Sequence, residues 1–303
     1  MFGFINLNKP AGFTSHDCVA KLRKLLNTKK IGHGGTLDPS ATGVLPIAVG
    51  KATRLLQFLP EPKAYRAKIR LGVTTTTDDL EGEVIKTTDT ANLESAQIIA
   101  SLNSFSGTIE QLPPIYSAIK KDGKKLYELA RKGEDIVIEP RTINIYKIEL
   151  TNIKQTEFYE LEVDIECSPG TYIRAIARDL GAMLGVGGTL ANLIRTESCG
   201  MQLDNSITFE EIASQLEQQT FNLISPSRIL NSLGSVTLAE DATKRWCQGQ
   251  LVDLSEAIAS DRASLENSHI VTYSEDRTFL GISILFQRND ILKIKPKIVC
   301  VSN

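Results

Sequence analysis

Asp38 has the setting most typical of a reactive side chain in this sequence. It is the only acid in a glycine-rich segment, residues 32–54, which reads GHGGTLDPSATGVLPIAVGKATR. The glycines permit positive φ and let the backbone approach a ligand closely, and Pro39 pushes Asp38 away from helical geometry. An acid in such a loop is either a turn-forming residue or a reactive group, and the loop alone leaves both interpretations open.

Tyr65 and Arg174 are the two other candidates for polar catalysis. Arg174 lies near the start of a predicted helix, on the side away from its apolar stripe, where it can pair with a carboxylate and keep it ionised. Tyr65 begins a predicted strand and faces its apolar side, a position at which tyrosine more often belongs to the core. A nucleophilic carboxylate in a basic environment suits attack on a nucleotide or a sugar.

The motifs of several other enzyme classes are missing from the sequence. A P-loop requires GxxxxGK[ST], whereas Gly50 and Lys51 are followed by Ala52, and Leu45 stands where the first glycine belongs. The glycines on either side of His33 follow a lysine pair and fail the dinucleotide-binding pattern. No GxSxG occurs, and the Asp38 loop offers no second acid for glycoside hydrolysis.

The composition is that of an ordinary globular protein. Of 303 residues, 42% are hydrophobic and 23% are charged, and the formal net charge is −2, so no global basic field marks a nucleic-acid binder. The length suffices for two domains. Five widely spaced cysteines without a CxxC pair argue against a zinc site or a disulfide framework. We therefore expect no bound metal. Because neither a signal peptide nor an apolar run of membrane-spanning length is found, we also expect a cytoplasmic protein.

Hydrophobic periodicity predicts a mixture of strands and helices. Residues 65–71 alternate apolar with basic side chains, and residues 158–167 alternate apolar with acidic ones, as half-buried strands do. Thr14 and Asp17 have the spacing of a helix-capping pair. The other predicted elements are strands at 2–7, 44–49 and 142–151, helices at 52–59, 93–105 and from Gly170, an apolar turn at 190–194, and strands and turns from Val236 onward.

Basic residues concentrate in two segments, 21–30 and 111–141. The second reads QLPPIYSAIKKDGKKLYELARKGEDIVIEPR, with Tyr116 and Tyr127 between its lysines and arginines. Basic residues interleaved with aromatic ones suit a phosphate backbone with stackable bases. A lysine-rich surface helix explains the second segment equally well.

Four stretches in a fixed order resemble the tRNA uridine-55 pseudouridine synthases. They read LNKPAGFTSHD, GHGGTLDPSATGVLPIAVGKATR, PPIYSAIKKDGKKLYELAR and SPGTYIRAIARDLG. The resemblance covers residues 1 to about 215. It implies an α/β (α+β) pseudouridine-synthase fold with a mixed, largely antiparallel sheet and flanking helices. Residues 1–232 would form the catalytic domain with a thumb-like RNA-binding insertion at 111–141, and residues 233–303 a small β-rich, PUA-like domain.

The resemblance also implies roles for individual residues. Asp38 matches the nucleophile, Tyr65 the tyrosine that stacks on the flipped base, and Arg174 the arginine that pairs with the aspartate. Residues expected to bind the substrate are His33, Tyr172, Leu193 and Lys120. The expected reaction converts uridine 55 in the T-loop of tRNA to pseudouridine after base flipping, without a cofactor, and the enzyme acts as a monomer on the T-arm.

Two alternatives stay open at this stage. In the first, the chain is a guide-RNA-dependent pseudouridine synthase subunit with the same aspartate motif. In the second, it is a non-catalytic protein that binds and folds tRNA with the same cleft. The slight overall acidity predicts segregated charge, with a basic cleft and an acidic back. Residues assigned to that acidic back are Glu160, Glu162, Asp164 and Glu166.

Overall fold

The computed structural model describes residues 1–117, 119–121, 123–126, 137–155, 157–260, 269–288 and 291–301. Within them the chain forms two large sheets with helices packed against them. The strands are β1 (Gly3–Lys9), β2 (Ile31–His33), β3 (Thr42–Val49), β4 (Lys63–Leu71), β5 (Val73–Thr75), β6 (Val84–Thr87), β7 (Gly107–Gln111), β8 (Lys120–Lys121), β9 (Lys124–Lys125), β10 (Arg141–Gln155), β11 (Tyr159–Cys167), β12 (Gly188–Ser198), β13 (Met201–Gln202), β14 (Ser235–Leu238), β15 (Val252–Asp253), β16 (Ala257–Ser260), β17 (His269–Ser274), β18 (Phe279–Arg288) and β19 (Ile291–Val299).

The described α-helices alternate with the strands along the chain. They are α1 (Ser15–Leu25), α2 (Ser95–Asn103), α3 (Ile173–Met183), α4 (Phe209–Glu217), α5 (Pro226–Ile229) and α6 (Glu240–Cys247), and a 3₁₀ helix spans Gly50–Phe58. None of the helices among the described residues is long and apolar enough to cross a membrane.

The first sheet has the strand order β1-β3-β12-β4-β11-β10-β7, with β2 on β3 and β13 on β12. Strand β12 runs parallel to β3 and antiparallel to β4. The described neighbours from β4 to β7 pair in antiparallel fashion. This confirms the predicted mixed, largely antiparallel sheet with flanking helices. Strand β12 joins the two halves of the sheet, although it follows both β3 and β4 in the chain.

Strands β4 and β11 bury one face and expose the other, as their alternation predicts. The apolar face packs in one core cluster with Ile98 of α2 and Ile176 of α3. On the open face the charges pair across the strands: Arg66 with Asp164 at 3.0 Å, and Arg70 with Glu160 at 2.7 Å. The assignment of Glu160, Glu162 and Asp164 to an acidic back is therefore wrong, because these three acids pair with the basic face of β4. The assignment of Glu166 stays a prediction. Exposed pairs of this kind add little to stability.

The other half of the sheet is covered on both faces. Helices α1 and α4 share a cluster with β1 and β3, and the 3₁₀ helix and the second sheet share another. The predicted capping box of α1 is present: the Asp17 amide donates to Thr14 Oγ1 at 3.0 Å, and the Thr14 amide donates to Asp17 Oδ2 at 2.9 Å. It satisfies amides that the first turn of the helix leaves without partners.

The second sheet has the order β15-β19-β18-β17-β14-β16, which agrees with the predicted β-rich C-terminal region. Its core holds Trp246, whose indole donates to Ser283 Oγ at 2.8 Å. It abuts the N-terminal part, where the Lys51 ammonium donates to the carbonyl of Val301 at 2.9 Å. The proposed domain boundary at residues 232–233 stays a prediction.

Three local predictions are wrong. Residues 190–194 are the middle of β12 and not a turn, because this segment pairs with β4 on one side and with β3 on the other. Helix α3 begins at Ile173 and not at Gly170, whose φ of +87° is non-helical. Helix α6 interrupts the predicted run of C-terminal strands and buries Ala242 and Trp246.

Helix α3 lies unusually close to the start of β12 through Gly181. A Cβ atom at Gly181 would lie 2.0 Å from the nitrogen of Gly188, which is backbone and cannot rotate away. The missing side chain therefore sets the distance between the helix that carries Arg174 and the central strand of the sheet.

Substitution of Gly181 by alanine tests this packing. Helix propensity alone favours alanine by about 1 kcal/mol, but overpacking should lower the free energy of unfolding by about 1–3 kcal/mol. Urea denaturation measures the difference. The control is Ala182→Gly at an exposed neighbouring position, expected to lose about 1 kcal/mol through propensity alone. A more stable Gly181→Ala variant would show that the contact is not a constraint.

Candidate functional site

Asp38 lies in the wall of an open cleft of about 470 Å³. Its side chain is 37% exposed, so a ligand in the cleft can reach the carboxylate. The loop that carries it connects β2 to β3, and the opposite wall comes from the loop after β5 and from β12. The lining residues are Asp38, Ser40, Ala41, Asp79, Leu80, Glu81, Arg174, Leu190, Ala191, Asn192 and Leu193.

Arg174, the second residue of α3, pairs with Asp38 as predicted. Its Nε lies 3.0 Å from Asp38 Oδ2, and its side chain is only 7% exposed. The Nε–H is not aligned with that oxygen as a hydrogen bond, so the contact is an attraction between charges. The remaining nitrogens are held in place, since Nη1 donates to the carbonyl of Thr77 at 3.2 Å and Nη2 to that of Tyr116 at 3.1 Å.

Asp79 is a second carboxylate of the site that sequence reasoning missed. Its Oδ2 lies 3.5 Å from Arg174 Nη1, and its Oδ1 accepts hydrogen bonds from Thr77 Oγ1 and from the amide of Glu81. The adjacent Asp78 pairs with Arg178 at 3.1 Å, while burial raises its pKa. Two arginines one turn apart on α3 thus hold two consecutive acids. The signal that the sequence offers for this acid is the consecutive pair Asp78 and Asp79.

The main chain on both sides of Asp38 is fixed by buried polar side chains. The Lys9 ammonium, fully buried, donates to the carbonyls of Pro39 at 3.0 Å and Phe13 at 2.7 Å. Ser15 Oγ accepts from the amide of Leu37 at 2.9 Å and donates to its carbonyl at 3.2 Å. The residues before and after Asp38 are therefore tied to β1 and to α1.

Tyr65 lies beside the cleft, within the core. It belongs to one buried cluster with Leu37 and Ala41, which flank Asp38, and with Leu193. Burial raises the pKa of the Tyr65 hydroxyl. The side chain is therefore a neutral phenol at neutral pH.

The four predicted substrate-binding residues are placed differently. Leu193 lines the cleft, whereas Tyr172 caps α3, where its amide donates to Gln111 Oε1 at 2.8 Å. His33 stands at the start of the Asp38 loop, edge-on to His16 with ring centroids 5.3 Å apart, and burial lowers its pKa. The side chain of Lys120 lies outside the described residues, as do residues 118, 122 and 127–136 of the proposed thumb.

The fold is that of the pseudouridine synthases. A chain of the solved H/ACA ribonucleoprotein bound to a substrate RNA containing 2′-deoxyuridine superimposes with a TM-score of 0.76. The match covers 99% of this chain and 86% of that one at 24% identity. At this identity the likeness concerns the fold alone.

The sequence comparisons narrow this class to one family. The model of the TruB family pseudouridylate synthase N-terminal domain matches residues 23–173. A protein of Gloeothece citriformis named tRNA pseudouridine synthase B is 53% identical, over 93% of this chain and 90% of that protein. One of Microcystis aeruginosa with the same name is 50% identical over 99% of both. The chain therefore belongs to the TruB family of pseudouridylate synthases.

The ion pairs of Arg174 predict a measurable coupling with Asp79. Arg174→Met should lower the free energy of unfolding by about 3 kcal/mol, because it leaves a buried carboxylate without its counter-charge. Adding Asp79→Asn should recover part of this loss, since a neutral amide needs no counter-charge. A double-mutant cycle by urea denaturation measures the coupling.

The matched control for this cycle is Arg174→Met combined with Asp204→Asn, an identical change at an exposed acid away from the cleft. Its two effects should simply add. Equally additive effects for Arg174 and Asp79 would mean that the two side chains do not depend on each other.

Proposed function

We propose that this protein converts uridine 55 in the T-loop of tRNA to pseudouridine. The observation that carries the proposal is the geometry at Asp38: an exposed carboxylate in an open cleft, paired with the buried guanidinium of Arg174. The names of relatives about 50% identical over nearly the whole chain support tRNA as the substrate.

The reaction needs a nucleophile and a site that confines the uracil base. The cleft offers Asp38 as the nucleophile and walls that can confine the base. The bond from ribose C1′ to uracil N1 breaks, the base turns, and C5 bonds to C1′; C5 loses a proton and N1 gains one. Atoms and electrons balance within the nucleotide. Asp38 attacks the ribose or the base, Arg174 pairs with its carboxylate, and Tyr65 and Leu193 contact the base from the buried side.

The substrate uridine is stacked within a folded loop and must leave it before it reaches the cleft. Extrusion of a base costs a few kcal/mol, which phosphate contacts with basic side chains can offset. We assign that role to the basic segment 21–30 and to the proposed thumb at 111–141. The protein acts as a cytoplasmic monomer on the T-arm.

Action without a guide RNA is the form of the proposal that the relatives favour. The proteins named tRNA pseudouridine synthase B are about twice as similar to this chain as the chain of the H/ACA complex. The purified protein alone should therefore form pseudouridine in a bare T-arm stem-loop, as measured by reverse-transcription mapping after carbodiimide treatment. Strict dependence on an added guide RNA and partner proteins would reject stand-alone action.

Substitution of Asp38 by asparagine tests the nucleophile. The change keeps the shape of the side chain and removes its charge, so the rate of pseudouridine formation should fall by about 10⁴-fold or more, while tRNA binding stays close to that of the wild type. Single-turnover kinetics and a filter-binding assay measure the two quantities.

The control for this substitution is Asp204→Asn, which should leave both quantities unchanged. An active Asp38→Asn variant would remove Asp38 from the reaction. A wild-type protein that binds tRNA and leaves it unmodified would instead support the non-catalytic binding role.

A further inference from the structure

Arg195 is a buried arginine that neither the motifs nor the cleft lining single out. Its side chain is fully buried in the middle of β12. Its Nε donates to the carbonyl of Val44 at 2.7 Å, Nη1 to that of Thr36 at 3.1 Å, and Nη2 to that of Gly35 at 3.2 Å. One guanidinium therefore binds the Asp38 loop before Asp38, at Gly35 and Thr36, and also binds β3 after the loop, at Val44.

The partners of this guanidinium are main-chain carbonyls. Among the described residues, no carboxylate forms an ion pair with Arg195. A buried charge without a counter-charge is a poor means of stabilising a core, because its desolvation is expensive. The rigid fork of donors in arginine instead suits three acceptors whose relative positions must be fixed.

The backbone of Arg195 touches the same loop again. Arg195 pairs with Gly43 across the parallel contact between β12 and β3. Gly43 has φ of +98°, and a Cβ atom there would lie 2.3 Å from the carbonyl oxygen of Arg195. The segment from Gly35 to Gly43 thus contacts the side chain of Arg195 at its first residue and the main chain of Arg195 at its last.

Arg195 also stands next to the other residues of the site. Its register partner in β4 is Tyr65, and Leu193, which lines the cleft, lies two positions earlier in β12. Burial raises the pKa of the Tyr65 hydroxyl, and the positive charge of Arg195 opposes this rise. A displacement of Arg195 would therefore change the surroundings of both the loop and Tyr65.

We infer that Arg195 is a positioning residue for the reaction: it holds the Asp38 loop on both sides and sets the carboxylate against Tyr65 and the bound nucleotide. This inference rests on the proposed function. In this role Arg195 acts through the loop and not by contact with the RNA. The role differs from that of Arg174, which contacts the Asp38 carboxylate itself.

The test separates the rate of the reaction from RNA affinity and from folding. Arg195→Lys keeps a positive charge, but one ammonium cannot reach three carbonyls arranged for a guanidinium. Its single-turnover rate on a T-arm stem-loop should fall by roughly 100-fold, while its affinity for the stem-loop and its circular dichroism spectrum stay those of the wild type. The matched control is Arg70→Lys, whose arginine pairs with Glu160 on the open face of the sheet and whose rate should not change.

Chemical rescue gives a second measurement. Arg195→Ala leaves a space of the size of the lost side chain, so added guanidinium ion should raise its rate, whereas sodium at the same ionic strength should not. Guanidinium that raises the melting temperature and not the rate would assign Arg195 to stability alone and overturn the inference. Failure of both variants to fold would do the same.

The outcomes also distinguish this inference from the proposed function. An active wild type with a fully active Arg195→Lys variant refutes the positioning role and leaves the function intact. A variant that loses RNA affinity to the same extent as rate likewise overturns the inference, because the defect would then lie in binding. A wild type that forms no pseudouridine refutes the proposed function itself.

Discussion

The geometry of the site depends on hydrogen bonds from buried side chains to the main chain of the Asp38 loop, which has no regular secondary structure. Lys9, Ser15 and Arg195 reach it from β1, α1 and β12 and bind the backbone on either side of Asp38. Within the described part of the chain, the carboxylate itself makes one ion pair, with Arg174. Two of the three supporting side chains are fully buried cations facing carbonyl dipoles. Such groups carry a desolvation cost, so the loop geometry and not net stability is the property that they best explain.

The sheet provides the frame in which these distant residues meet. Strand β12 borders β3 on one side and β4 on the other, which places the Asp38 loop beside Tyr65. On the far wall, two arginines of α3 hold Asp78 and Asp79. Both walls of the cleft are therefore joined through charged contacts to rigid elements, which suits a site whose reacting groups must keep fixed positions.

The parts of the structure that sequence predicts are those specified by neighbours in the chain. Period-two alternation marks β4 and β11 because each has one buried face, and the capping box of α1 lies within four residues. The Asp38 segment is recognisable because its composition is local. Asp79 and Arg195 could not be found in this way, since the arginine that pairs with Asp79 and the carbonyls that Arg195 binds are far away in sequence. The bond from Lys9 to the Pro39 carbonyl likewise spans 30 residues. The error at residues 190–194 has the same cause: Asn192 breaks the apolar run, and pairing with strands made much earlier turns it into a strand.

The place of β12 also constrains how the chain reaches its native state. Strands β3 and β4 leave the ribosome long before the strand that lies between them. Until β12 arrives, each half of the sheet has an unpaired edge and a half-covered apolar face, the features that make a nascent chain prone to aggregation. Closure joins residues that are distant in sequence, which slows folding. Strand β12, which carries the side chain that binds the Asp38 loop, is thus also the strand that covers the unpaired edges of β3 and β4. The chain therefore completes its site only when these two edges have been covered.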